Sequence, residues 1–431
     1  MSRSGTIGYT RSICPVCGRQ LPAQRVRENG AVFLRKACPE HGPFSTLVWR
    51  EMPGAPPYEQ WRGDLPELKA TENSGCPYDC GLCPQHGQET CCVLYEVTSR
   101  CDLGCRYCFA EAGTGEDIPL EEVKRDISLL TRPGATLLQL SGGEPALRND
   151  LPEIVSYARQ AGCRYVQLNS NGLRLGKEPE FVAELAAAGL SFVFMQFDGT
   201  HDGIHRELRG RPLLREKRQA IENCAANHIG VILVPTLVPG VNTQDIGNII
   251  RFALSLSPVV RGVHFQPVSY FGRYPHPPKD EQRYTLADLL AAIPEQTAGL
   301  IPLANIVPSH CDHPLCGFHA SFITEPTGGL TAITRPEACC CSSRTTAEQN
   351  REYIGRRWQR GTAEPEPAKD GFDRFLRQSR ERAFTLTAMA FQDAWNLDIE
   401  RLRRCSLHVY RKGQTVPFCA NYLTLSGRSH D

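Results

Sequence analysis

The chain has 431 residues, of which 41% are hydrophobic and 22% charged, and its formal net charge is +1. That length allows a large core and more than one domain, while the near-neutral balance excludes a global field for nucleic acid or an anionic membrane. The opening residues, MSRSGTIGYTRSICPVCGRQ, lack the apolar segment of a secretory signal, and the longest apolar run, Ile229 to Val241, is broken by Pro235 and Pro239 and is too short to span a bilayer.

Twenty cysteines are the departure from ordinary composition. Disulfide staples suit small secreted domains, whereas these cysteines sit in tight C-x2-C and C-x3-C groups within a large chain. Such grouping points to metal or cluster ligands and to a reducing cytoplasm, with peripheral membrane contact left open.

Four regions follow in chain order. Residues 1–52 carry CPVCG and CPEHG, which set Cys14, Cys17, Cys38 and His41 as two knuckles around one mononuclear Zn or Fe, rubredoxin-like or zinc-like. Residues 53–92 hold a Pro-rich linker, then Cys76, Cys80 and Cys83 in C-x3-C-x2-C spacing, with Cys91 in reach as a fourth ligand. Four thiolates close a cluster and suit it to electron relay, although zinc also accepts four thiolates. Cys92, beside Cys91, reads as core.

Residues 93–283 alternate candidate strands with amphipathic stretches. The strands are VLYEVT, TLLQL, YVQLN, FVFMQF, VILVPTLV and VHFQPV; the helices are Leu120–Thr131, Asp150–Ala161, Glu178–Ala188, Leu213–Asn227 and Thr243–Ser255. This order predicts an α/β fold, a partial (β/α)6 TIM-type barrel, because a full eight-unit barrel needs about 250 residues. Its chemistry belongs at the carboxyl ends of the strands.

The second C-x3-C-x2-C, Cys101, Cys105 and Cys108, follows the first of these strands. Three thiolates hold a [4Fe–4S] cube and leave one iron open to a substrate or cofactor. Tyr107 offers an aromatic face to a bound base.

Residues 284–431 form a C-terminal region with a helix at Thr285–Glu295 and a charged helix around Phe372–Phe384. Cys311, Cys316, Cys405 and Cys419 can close another auxiliary cluster, with Cys339, Cys340 and Cys341 as rival ligands. Cys163 and Cys224 read as core. His310, His313 and His319 read as ligands, acid/base groups or neither.

CDLGCRYC after a strand resembles the signature of the radical S-adenosylmethionine (SAM) superfamily. The resemblance implies a [4Fe–4S] cluster whose open iron is chelated by SAM. Reductive cleavage then yields methionine and a 5′-deoxyadenosyl radical, with the protein orienting that radical and excluding competitors. It also implies roles at SGGEP, where Gly142 and Gly143 let the backbone approach closely and Glu144 meets the methionine ammonium. NSNG places Asn169 and Asn171 at the ribose, and Gln196 and Asp198 are further candidates for SAM contacts.

The whole chain resembles one subgroup, that of the archaeal tetraether lipid synthases and the class D, dihydropterin-type methyltransferases. The resemblance rests on CPVCG…CPEHGPF, GCPYDCGLCPQH…TC, VTSRCDLGCRYCFA, FQPVSYFGR and PFCANYL. It implies two auxiliary [4Fe–4S] clusters and a low-potential electron donor such as ferredoxin or flavodoxin. The first expectation is hydrogen abstraction from an unactivated sp3 carbon and C–C bond formation, coupling lipid hydrocarbon chains through an apolar tunnel. The second is methylation of a dihydropterin or similar small molecule, with methylene-tetrahydropterin as carbon source and a polar pocket. An iron–sulfur electron-transfer protein is a third, which leaves the open cysteine loop unexplained.

Overall fold

The computed structural model describes residues 5–61, 76–77, 89–309, 311–325, 329–333, 347–360, 370–371, 373 and 380–426. Cys80, Cys83, His310 and Cys339 to Cys341 lie outside these, as does most of the helix expected at Phe372–Phe384.

The N-terminal strands β1 (Gly5–Ile13), β2 (Gln20–Glu28), β3 (Ala31–Cys38) and β4 (Gly42–Arg50) form an antiparallel meander. Asn29 and Gly30 join β2 to β3 with φ of 50° and 72°, the left-handed pair that a two-residue hairpin of matching twist needs. The two knuckles are the other turns of this meander: CPVCG links β1 to β2, and CPEHG links β3 to β4.

A second sheet takes the rest of the strands: β5 (Cys92–Arg100), β6 (Thr114–Asp117), β7 (Leu137–Gly142), β8 (Tyr165–Ser170), β9 (Phe192–Gln196), β10 (Gly230–Val234), β11 (Thr236–Leu237) and β12 (Val260–Pro267), then β13 (Val307–Pro308), β14 (Gly317–Thr324), β15 (Leu330–Ala332), β16 (Ala383–Met389), β17 (Leu407–Arg411) and β18 (Gln414–Pro417). The six expected strands are spatial neighbours in the order β5-β7-β8-β9-β10-β12, all parallel. On their outer face Val93, Leu138, Leu168, Val193 and Leu233 pack with Val123, Ile154, Val182 and Ile250 of the intervening helices in one buried core.

The sheet does not stop at six. β16 adds parallel to β12, and β17 adds parallel to β5. Both come from the C-terminal region and satisfy edge N–H and C=O groups that six strands alone would leave open. Residues 383 and 384, expected at the end of a helix, thus open the strand Ala383–Met389.

The inner face has its own occupant. Helix Ala347–Trp358 lies against the amino ends of the strands, where Trp358 and Ile354 meet Cys92, Leu137, Tyr165, Phe192 and Ile232. The Trp358 indole donates to Thr385 Oγ1 at 2.9 Å. Among the described residues, no helix is long and apolar enough to cross a membrane.

The meander is fastened to the larger sheet's C-terminal loops. Asp398 accepts from Thr10 Oγ1 at 2.7 Å and from Arg25 Nε and Nη2 at 3.0 and 2.7 Å. Buried Lys36 donates to Ala394 O at 3.0 Å, and Thr46 donates to Trp395 O at 3.1 Å.

Candidate active site

β5 runs directly into the cysteine loop. Arg273, on the loop after β12, fixes that loop: its backbone exchanges two 3.0 Å hydrogen bonds with Cys108, and its Nε donates to Cys105 O at 3.0 Å. Cys101, Cys105 and Cys108 all face one cavity of about 180 Å3. Burial pushes the Cys101 thiol up to about 12, so its thiolate needs a compensating cation.

The next two strands bring their turns to the same cavity. Gly142 has φ 129°, and a β-carbon on it would overlap Thr98 O; one on Gly143 would overlap Arg100 O. The two glycines are therefore required by the close approach of the end of β7 to its parallel neighbour β5, where a 2.7 Å hydrogen bond from Glu144 N to Arg100 O seats Glu144. The buried Glu144 carboxylate accepts from Ala146 N at 3.0 Å, Ser170 Oγ at 2.8 Å and Asn171 N at 2.6 Å. Burial still pushes it up to about 7 against these bonds. Asn171 Nδ2 in turn donates to Asp102 Oδ1 at 2.7 Å, tying the third strand's turn to the cysteine loop.

Tyr107, Gly142, Gly143, Glu144, Asn169, Asn171 and Gln196 line this cavity with the three cysteines. Asp198 does not. It is buried beneath the wall and pairs with Arg209, accepting from Nε at 2.7 Å and from Nη2 at 2.6 Å. The residue that reaches the cavity is Arg209, on helix Asp202–Arg209. Burial works against its charge, yet Asp198 and the Cys105 sulfur hold the guanidinium above its ordinary range. The Gln196 amide oxygen, turned to this guanidinium, lies 3.0 Å from Nη1. Lys217 completes the frame by donating to Asn171 O and Gln196 O, and burial brings it down to about 8.

Sequence reasoning missed Arg209, Lys217 and Arg273. HRELRGR and FGR show cations but not partners; the one usable signal was Asp198 at a strand end, an acid that needs a counter-charge once buried.

The N-terminal ligands converge. The donor atoms of Cys14, Cys17, Cys38 and His41 all lie within 4.8 Å of one another. Cys17 and Cys38 Sγ are 3.9 Å apart, close to the edge of about 3.8 Å expected for sulfurs on tetrahedral zinc. Burial raises Cys38, but hydrogen bonds with His41 and backbone amides bring it down to about 6.

The remaining cysteines regroup. Cys76 and Cys419 belong to one buried apolar cluster, while Cys91 packs with Cys311. Hydrogen bonding from Cys311, then from Cys92, holds the Cys91 thiol well below its usual range. Buried Cys316 and Cys419 and half-buried Cys405 lie within electrostatic reach of one another. Cys91 thus lies against Cys311, and Cys316, Cys405 and Cys419 neighbour one another, while Cys80 and Cys83 of the first expected set lie outside the described residues. Cys163 and Cys224 are core. His313 caps a turn by accepting from Leu315 N at 3.1 Å, and His319 lies on β14.

Six parallel strands, with a three-cysteine loop after the first and the GGE and NSNG turns after the next two, define a radical SAM enzyme. Residues 95–253 match the radical SAM superfamily, and residues 6–50 match the HMPTM N-terminal zinc ribbon domain. A 7,8-dihydro-6-hydroxymethylpterin dimethyltransferase of Methanocaldococcus jannaschii is 32% identical over 477 residues, covering 96% of this chain and 93% of that protein. An Fe-coproporphyrin III synthase of Methanosarcina barkeri is 33% identical over 161 residues, 36% of this chain and 38% of that one. A probable GTP 3′,8-cyclase of Methanococcus vannielii is 26% identical over 187 residues, 43% and 62% of the two chains. This chain belongs to the family of the dihydropterin dimethyltransferase, within the radical SAM superfamily. Membership implies a [4Fe–4S] cluster and SAM, and the donor set fits: three soft thiols line the cavity, and among the described residues no fourth cysteine does.

Proposed function

We propose that this protein is a radical SAM methyltransferase acting on a dihydropterin or a similar small heterocycle. The observation that carries the reading is a set of fixed polar groups in a mixed cavity wall: Ser141, Thr236 and Gln266 stand beside the cysteine loop among Phe109, Phe194 and Val234. Amides and hydroxyls at fixed positions suit a ring with hydrogen-bonding edges, whereas coupling of lipid chains calls for an apolar tunnel. The end-to-end likeness to a dihydropterin dimethyltransferase supports the same choice.

In this reading Cys101, Cys105 and Cys108 hold the catalytic cluster. When bound, the cluster and SAM supply a 5′-deoxyadenosyl radical able to abstract hydrogen from carbon. Glu144 receives the SAM ammonium, and Asn169 and Asn171 face the ribose. Arg209, aimed by Asp198, offers its charge to the SAM carboxylate, with Gln196 beside it. The N-terminal site carries one Zn or Fe and fastens the meander. Cys76, Cys80, Cys83, Cys91, Cys311, Cys316, Cys405 and Cys419 serve two auxiliary [4Fe–4S] clusters whose ligands mix the two ends of the chain. Electrons come from a cytoplasmic low-potential donor such as ferredoxin or flavodoxin.

The test is anaerobic turnover of reconstituted protein with SAM, reductant, methylene-tetrahydropterin and 6-hydroxymethyl-7,8-dihydropterin. Mass spectrometry is expected to find methylated pterin. Release of 5′-deoxyadenosine with the pterin recovered unchanged would reject the substrate while keeping the chemistry.

A further inference from the structure

β12 points two polar side chains inward. Val263 and Phe265 face the outer core, so His264 and Gln266 face the lumen. Gln266 lines the cavity; His264, two residues earlier, lies one layer deeper toward the amino ends. Its parallel neighbour on one side is Thr387 of β16. On the other side Leu233 pairs with Val263, which sets the cavity-lining Val234 beside His264.

The imidazole is held in place. Nδ1 lies 2.8 Å from Thr387 Oγ1, and the ring sits 5.3 Å from Phe194, whose side chain also walls the cavity. Nε2 has no hydrogen-bond partner among the described residues. Burial alone pulls the imidazole down to about 4, so it is neutral at physiological pH. Trp358, 4.9 Å from Phe194, closes the floor below. His264 is only half-buried and is flanked by Phe194, Val234 and Gln266 of the cavity wall, so it sits just beneath that wall and not in a closed core.

We propose that His264 reads the substrate: the heterocycle lies against Phe194, and its nitrogen-bearing edge hydrogen-bonds to His264 Nε2. This rests on the dihydropterin reading above and adds the residue that recognises the ring. Thr387 is the positioning residue, since its hydroxyl holds the angle of the imidazole and can donate to Nδ1 or accept from it. In either tautomer Nε2 offers one neutral hydrogen-bonding site, which suits an uncharged flat heterocycle and gives a hydrocarbon chain no partner. The low-dielectric floor strengthens that bond and penalises a ligand unable to make it.

The test is equilibrium binding of 6-hydroxymethyl-7,8-dihydropterin to reconstituted full-length protein, followed by pterin fluorescence. His264→Leu is expected to weaken binding about tenfold, the order of one lost hydrogen bond in a buried site. His264→Gln, whose amide nitrogen reaches the Nε2 position, is expected to retain most of the affinity. Thr387→Val keeps His264 but frees the ring, and is expected to weaken binding severalfold; it also serves if His264→Leu does not fold, as judged by iron content and thermal unfolding. Wild-type affinity in either His264→Leu or Thr387→Val overturns the assignment and leaves the pterin reading standing. Failure of the wild-type protein to bind the dihydropterin overturns both.

Discussion

Glu144 carries a carboxyl pushed up to about 7 although three donors surround it, because burial outweighs them. Near neutral pH it is therefore partly protonated, and an arriving ammonium favours the carboxylate. SAM affinity is then expected to rise with pH up to about 7 and to level off above it, with proton release on binding in the rising limb. Calorimetry in two buffers of different ionisation heat reads that proton directly, and Glu144→Gln should remove both the slope and the release. A flat profile in the wild-type protein would place the ammonium elsewhere. At this scale the sequence was most informative where a residue answers to its neighbours in the chain. Cysteine spacing, the GGE turn and NSNG all named cavity residues. Arg209 was illegible because its meaning comes from Asp198, across a turn and a helix, and a cation alone has no periodic signal.

The meander and the larger sheet meet through buried charge. Burial alone would raise Asp398, but the charge and hydrogen bonds of Arg25 hold it below the usual carboxylate range. Asp398→Ala leaves Arg25 half of its partners, with Glu400 alone remaining. The expected cost is about 3 kcal/mol, because the guanidinium stays buried without its main counter-charge. Urea unfolding measures it, and a loss under about 0.5 kcal/mol would demote the pair to a surface-like contact. Strand–helix alternation made the six central strands legible because each unit buries one face locally. The meander was legible only as knuckles, although Asn29-Gly30 between short runs was a readable hairpin turn. The addition of β16 and β17 to the parallel sheet escaped because their partners there, β12 and β5, lie more than a hundred residues away, and no local period records such a pairing.

As a whole, the molecule uses its last fifty residues to finish a sheet begun near residue 92. A chain cut before β16 would bare the edges of both β5 and β12, and is expected to aggregate on expression in spite of its intact cysteine loop. Gel filtration decides this, and a soluble monodisperse truncation would show that six strands suffice. The helix from Ala347 to Trp358 has a further effect, on the sequence of events in time. Among the described residues it blocks the amino end of the lumen, with Trp358 tied to Thr385, so the way past the cysteine loop is the open one. A compact ligand seated near Phe194 and His264 lies deeper than the turns that gather around the cysteines. The later arrival stands in the doorway of the earlier one. Steady-state kinetics should then be ordered, with the heterocycle entering first and SAM second, and excess SAM should slow turnover by shutting the pocket before it is filled.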